Sequence, residues 1–378
     1  LPRSITTFPV TPFGDIQALR RVAEENPSVS SLNRCPGAGY PQAAISESIG
    51  TLMGFIKPET TRAYQTVALN PNNWSTDGMT ARGTYTEPVQ TLAMDILLND
   101  RDESRVKLME ILLQYAEADA FQWYSGSREG MVLYNDTYGL KSVLTPTIAA
   151  WSTIRHEKEM DDPQAADLID NWIWRVINRV DHFHNNDPSM VSNHNNQRYM
   201  LLLNLAQLSL LYKSEYYTHR ALLDAIMVQE EQRPDGSLPL ETSRGYLSLH
   251  YTGHATVSLM AAAEYLSLLG LNLYEHPETK FRPVFEFFAA SEINRELIES
   301  YAGQKQTGLR QEDIGTWAYG GMTPFCARYP ETEGCMTRIG ITTYPKSLPY
   351  LHLPLNMGYD GMMNSCISAL MQAAGANR

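Results

Sequence analysis

Seven residues separate Arg244 from Tyr251 in the stretch DGSLPLETSRGYLSLHY, residues 235–251. If a helix begins near Thr242, Arg244, Leu247 or Ser248, and Tyr251 share one face. The arginine and tyrosine then lie about 10.5 Å apart along the axis, close enough to touch one extended ligand. An arginine offers a planar fork to a carboxylate. A tyrosine near cations can lose its proton more easily and serve as a base. Together they suit proton removal beside a carboxylate. Each also has a purely structural explanation: Glu241 stands three residues before Arg244 as an ion-pair partner, and Tyr251 can pack in a core. His250 and His254 have the i, i+4 spacing of a zinc pair, and His182 and His184 are further imidazoles. Tyr251, not glutamate, follows His250, so the segment does not read as HExxH, and no metal is expected.

A second cluster, HFHNNDPSMVSNHNNQRYM (182–200), is dense in histidine and asparagine and runs into an apolar helix at Tyr199. Asn193-His194 stands just before that helix. A helix start carries free N–H groups and a positive dipole end, both suited to an anion. Asparagine is equally favoured there as a cap, so the cluster as a whole, more than any one residue, points to a site.

The elements that must position these residues read as helices. From residue 88 onward, VQTLAMDILLN, SRVKLMEILLQYAEADAF and AADLIDNWIWRVINRVDHF repeat apolar residues at helical spacing, the last through Leu168, Trp172, Val176 and Val180. RYMLLLNLAQLSLLYK and HATVSLMAAAEYLSLLGLNLYE are apolar nearly all round, as helices buried on more than one side are. Strand alternation is scarce and no fixed-period repeat occurs. The expectation is an all-α fold, an (α/α) toroid or incomplete barrel of antiparallel helix pairs around a central cleft. It would form a single catalytic domain over 1–378, with an irregular N-terminal segment over about 1–70. A polar loop over 70–88 is a candidate lid. It carries Trp74, Arg82 and Tyr85, which with Trp123 and Tyr124 of FQWYSG are candidate substrate contacts by stacking and closing.

The 378 residues carry 30 basic and 42 acidic side chains, a formal charge of −12, which argues against nucleic acid as partner. It leaves room for an anionic substrate in a locally basic cleft. With no run of about 18 apolar residues, no membrane partner is expected. The four cysteines, Cys35, Cys326, Cys335 and Cys366, contain no CxxC pair. An oxidising compartment would let Cys326 and Cys335 close a short disulfide, whereas a reducing one would leave four thiols. The leucine at position 1 suggests a mature or trimmed chain.

Asn193-His194 before a helix, then DGSLPLE, an arginine, and a His-Tyr pair with the tyrosine seven residues past the arginine, resembles the alginate lyase superfamily. The likeness spans roughly 90–330 and is strongest over 190–275. It implies an α/α toroid and a secreted or periplasmic polysaccharide lyase that cleaves a polyuronate by β-elimination without metal or cofactor. By that resemblance Asn193 and Arg244 neutralise the uronate carboxylate, His194 assists or acts as base, and Tyr251 moves the proton. His250 then becomes a substrate contact. The first motif departs from the family's usual N-N-H-x-Y-W, with Tyr199 falling later. The resemblance thus extends to two branches, the classical alginate lyases and a related branch acting on glucuronan as well as alginate. Two other classes fit the same scaffold. A glycoside hydrolase would need two carboxylates, for which Asp187, Asp235 and Glu241 are available. A non-catalytic glycan-binding protein would need neither.

Overall fold

The computed structural model describes residues 8, 20–21, 85, 87–121, 132–155, 162–186, 189–306, 325, 328–329 and 331–335. Among these every regular element is helical and no strand occurs. Trp74, Arg82, Trp123, Tyr124, Asp187 and the segment 1–70, apart from residues 8 and 20–21, lie outside the described residues.

The chain divides into two compact units. One spans 15–187 with 354–363 and holds α1 (Glu87–Asn99), α2 (Asp102–Glu117), α3 (Val132–Arg155) and α4 (Pro163–Asn186). In α4, Ala165, Ile169, Trp172, Ile173, Val176, Ile177 and Val180 are buried at i, i+3, i+4 spacing. Leu168 sits half-buried at the rim of this stripe. Trp172 donates from Nε1 to the Ala120 carbonyl at 2.8 Å, so its one polar atom is satisfied inside the core. Arg20 donates to the carbonyls of Ile96 and Leu97 at 2.9 and 2.8 Å, closing the C-terminal end of α1.

Tyr85 belongs to this core. Its ring meets Tyr115 at 4.3 Å and Phe121 at 5.5 Å between centroids, and it is 1 % exposed. Its hydroxyl bonds Thr147 Oγ1 at 2.8 Å, and burial pushes the phenol well above its usual range. The expectation that Tyr85 stacks on a sugar from an open loop is therefore corrected. The apolar pull of the neighbouring rings outweighs the polar company it keeps in the sequence.

The other unit spans 1–14, 188–353 and 364–378. It holds α5 (Asn196–Leu211), α6 (Glu215–Glu231), the short α7 (Pro239–Thr242), α8 (Ser248–Ser267), α9 (Arg282–Ile293) and α10 (Glu296–Ala302). Every residue of α5 is buried, and α8 is buried along most of its length. These are the two segments whose sequence is apolar all round, and they pack against each other at the centre of the unit. Cys335 is disulfide-bonded, and the other three cysteines lie outside the described residues.

Candidate active site

The segment from Asp235 to Tyr251 is a helix broken in two, not one continuous helix. Asp235-Gly236 makes the first turn. Ser237 donates to Asp235 Oδ1 from both its amide and its hydroxyl, at 3.0 and 2.7 Å. Gly236 has φ +86°, and a Cβ there would stand 2.1 Å from the Pro283 carbonyl oxygen, so only glycine fits. The single turn of α7 follows and ends at Thr242. Gly245 then takes a left-handed φ of +60°, a 3-10 turn covers Gly245–Leu247, and α8 starts at Ser248. Gln306 fastens the break. Its Nε2 donates to the Gly245 carbonyl and its Oε1 accepts from the Leu249 amide, both at 2.9 Å.

This break corrects the expected geometry of Arg244 and Tyr251. The two do not share one helix face. Across the break at Gly245, the Arg244 guanidinium carbon lies 4.3 Å from the centre of the Tyr251 ring. A cation over an aromatic face is attracted by the ring quadrupole. Arg244 Nε donates to the Leu240 carbonyl at 2.9 Å and lies 3.8 Å from Glu241 Oε2. Its Nη2 is buried and has no hydrogen-bond partner among the described residues. The arginine thus holds both the ion pair that its structural explanation anticipated and a place over the tyrosine ring.

Asn193 ends a 3-10 turn, Val191–Asn193, and is buried; His194 follows with its side chain 39 % exposed. Asn195 is the N-cap of α5, and its side-chain oxygen accepts from the Gln197 amide at 2.9 Å. The next free donor, the Asn196 amide, is taken by Glu241 Oε1 at 2.5 Å. The start of α5, expected to receive an anion, therefore receives a carboxyl group from 45 residues along the same chain. Glu241 is wholly buried. Burial drives its carboxyl up to about 7, against the downward pull of Arg244 and the Asn196 amide. One carboxylate thus ties the Asn193–His194 turn to the Arg244–Tyr251 pair.

A second carboxylate holds the histidine. His194 Nδ1 and Glu231 Oε1, at the last residue of α6, share a short hydrogen bond. Burial raises the Glu231 carboxyl, while the bond to His194, the charge on that ring and Arg198 pull it back down. Arg198 is itself spent on Asp224, at 2.5 Å. Tyr199, buried in α5, donates to the His194 carbonyl at 3.4 Å. Burial, then Glu241 and Glu231, hold its phenol well above the usual range.

His250 and His254 lie with ring centroids 4.5 Å apart, and both face Tyr251, at 5.3 and 6.1 Å. Burial lowers the affinity of His250 for a proton. Among the described residues no group of three His, Cys, Asp or Glu side chains could hold a metal ion. His184 is engaged with Lys141 and His182 with Asn186, each at 2.7 Å. The two described carboxylates that a hydrolase could have used are committed elsewhere. Asp235 is locked in its turn and receives the Tyr301 hydroxyl at 2.6 Å, and Glu241 is sealed from solvent. Sequence reasoning missed Glu231. The only local signal is an acidic pair, Glu230-Glu231, at the end of a helix where the dipole disfavours it. It also passed over Tyr246, which is 53 % exposed two residues past Arg244.

The chain is similar to several solved structures. A histidine-to-alanine variant of alginate lyase A1-III complexed with tetrasaccharide aligns with a TM-score of 0.66 at 19 % identity, over 87 % of this chain and 90 % of that one. A tyrosine-to-phenylalanine variant, also complexed with tetrasaccharide, aligns with a TM-score of 0.65 at 19 % identity over the same shares. Alginate lyase A1-III from Sphingomonas species A1 aligns with a TM-score of 0.59 at 21 % identity, over 70 % and 73 %. These likenesses establish the fold class as the all-helical α/α toroid. No curated protein matches the chain. The family model described as alginate lyase matches residues 57–295, which takes in both motifs and the break between α7 and α8. The chain therefore belongs to the alginate lyase family and is a polysaccharide lyase.

Proposed function

We propose that this protein cleaves alginate within the polymer by β-elimination, leaving an unsaturated uronate at each new non-reducing end. The reading rests on one observation: buried Glu241 joins a turn bearing Asn193 and His194 to an arginine stacked on Tyr251.

The proton on C5 of a uronate is a poor acid while the adjoining carboxylate is charged. Donors at that carboxylate offset the charge and stabilise the enolate-like intermediate. Asn193, His194 and Arg244 supply those donors, and Nη2 of Arg244 is the buried one still unspent. Tyr251, as its phenolate, takes the C5 proton. The electron pair moves to form the C4–C5 double bond as the C4–O bond breaks, and the departing oxygen takes a proton from the same tyrosine. The Arg244 guanidinium over the ring stabilises the charge that the phenolate oxygen carries before it takes the C5 proton and again after it gives the proton up. Every proton in this scheme passes through side chains of the chain. Two structures similar to this one hold a tetrasaccharide with a histidine or a tyrosine replaced, which supports the pairing of these two residue types at a saccharide site. The disulfide at Cys335 supports a secreted or periplasmic location.

Purified protein offered polymannuronate, polyguluronate, glucuronan and hyaluronan tests the reading through the ultraviolet absorbance of the new conjugated double bond. Absorbance with an alginate polymer, accompanied by a rapid fall in viscosity, is expected. Reducing ends without that absorbance would mark a hydrolase, and saccharide binding with neither product would mark a binding protein.

A further inference from the structure

We propose that Gln306 is a positioning residue: its side-chain amide pins the break between α7 and α8 and so holds the Arg244 guanidinium over the Tyr251 ring. The inference rests on the function proposed above and adds to it the part that sets the geometry of the arginine and the tyrosine.

A helix start leaves amides that something must satisfy. At α8 the local side chains do not do so. Leu247, its N-cap, makes no side-chain bond, and the Ser248 hydroxyl donates back to the Thr242 carbonyl at 2.8 Å. The Leu249 amide goes instead to Gln306 Oε1, 57 residues further along the chain, at 2.9 Å. At the other end of the same group, Nε2 donates to the carbonyls of Gly245 and Gln304 at 2.9 and 3.0 Å. Oε1 thus faces an N–H and Nε2 faces two carbonyls, so a flipped amide would set like groups against each other at every contact. The side chain is itself held. Gln306 is 6 % exposed, and its backbone amide donates to Glu299 Oε1, in α10, at 2.9 Å. Gln304 closes on the same glycine: a Cβ at Gly245 would stand 3.2 Å from its Oε1. Gly245 directly follows Arg244, and Leu249 lies two residues before Tyr251 in the first turn of α8. Arg244 is anchored on the α7 side, to the Leu240 carbonyl and Glu241, whereas Tyr251 belongs to α8. What fixes one side against the other is the backbone of the break, where glycine has wide conformational freedom. Gln306 grips that backbone beside both members of the stacked pair.

The first measurement reads the stacked pair in free enzyme, apart from turnover. In protein labelled with 15N at arginine, the Arg244 Nε–H signal is the one lost in Arg244→Lys. The Tyr251 ring displaces that signal, and Tyr251→Leu shows where it lies without the ring. Gln306→Met has similar length but no amide, and in it the signal should move toward the Tyr251→Leu position. Its kcat on alginate oligosaccharide should fall by about tenfold or more with a smaller change in KM, because a shift of about 1 Å at reacting groups costs up to about a hundredfold. Added to Arg244→Lys, the same substitution should lower kcat/KM by less than about twofold further, since it acts through Arg244. Gln306→Asn keeps the amide but is one methylene short of spanning both contacts, so it should shift the signal less and in the same direction. A wild-type signal already at the Tyr251→Leu position overturns the proposal whether or not Gln306→Met folds. So does an unmoved signal in folded Gln306→Met or Gln306→Asn, or a full second loss of activity on top of Arg244→Lys. If the signal moves as expected but no polyuronate is cleaved, the error lies in the proposed function and not in the role of Gln306.

Discussion

Replacing Glu241 with glutamine should make the protein less sensitive to pH. In the folded chain the Glu241 carboxyl titrates at about 7, against 4.5 for the free side chain, chiefly because it is wholly buried. Between those values the folded state keeps a proton that the unfolded chain has released. Folding stability must therefore fall as pH rises through this window and level off above about 7. A gap of about 2.5 pH units, at about 1.36 kcal/mol each, corresponds to a loss of about 3 kcal/mol from this one group. Glutamine cannot ionise, yet its amide oxygen can still accept from the Asn196 amide, so the α5 cap survives. Urea unfolding of both proteins, followed by helical circular dichroism from pH 4.5 to 8, isolates the effect. Every other carboxylate is common to the two, so their titrations cancel in the difference. The stability of Glu241→Gln relative to wild type should rise by about 3 kcal/mol across the window. Parallel curves would refute the reasoning, because they would mean that Glu241 is ionised at little cost and that its burial is not what sets its charge.

Three further outcomes test separate parts of the account. Arg244→Lys keeps the charge but loses the guanidinium over the Tyr251 ring and the fork for a carboxylate, so kcat/KM should fall by about a hundredfold or more while the fold persists. Gly236→Ala forces a side chain onto the Pro283 carbonyl at a positive φ, and thermal melting should show a loss well above about 1 kcal/mol. Tyr85→Phe removes only a buried hydrogen bond to Thr147, so it should cost about 1 kcal/mol of stability and leave KM for oligosaccharide unchanged. A raised KM in that variant would return Tyr85 to the saccharide site.

The parts of this molecule that follow local rules are readable in its sequence. The stripe on α4 and the all-round apolar pattern of α5 and α8 come from helical period and burial, and both appear where the pattern puts them. Asn193, His194, Arg244 and Tyr251 are picked out by type and spacing, and all four fall in one unit. The spacing argument nevertheless chose the wrong geometry. Seven residues look like two turns of one helix, but Gly245 takes a left-handed conformation and Gln306, from 61 residues away, fixes the break. The two carboxylates that organise the site are also long-range partners. Glu231 reaches His194 across 37 residues and Glu241 reaches Asn196 across 45, distances over which a periodic pattern carries no information. Glu241 looked like a helical ion-pair partner for Arg244. It is one, but its stronger bond is to the start of α5. Tyr85 was misplaced for the opposite reason. Its polar neighbours in sequence suggested a loop, while aromatic residues far along the chain draw it into a core.

The central claim is that the Arg244-capped tyrosine moves the proton in alginate cleavage. The most direct test measures turnover and oligosaccharide binding on the same preparation of Tyr251→Phe. The account predicts that formation of unsaturated product disappears while tetrasaccharide affinity stays within about tenfold of wild type, since only the proton-transferring hydroxyl is lost. Turnover at the wild-type rate in that variant would contradict it.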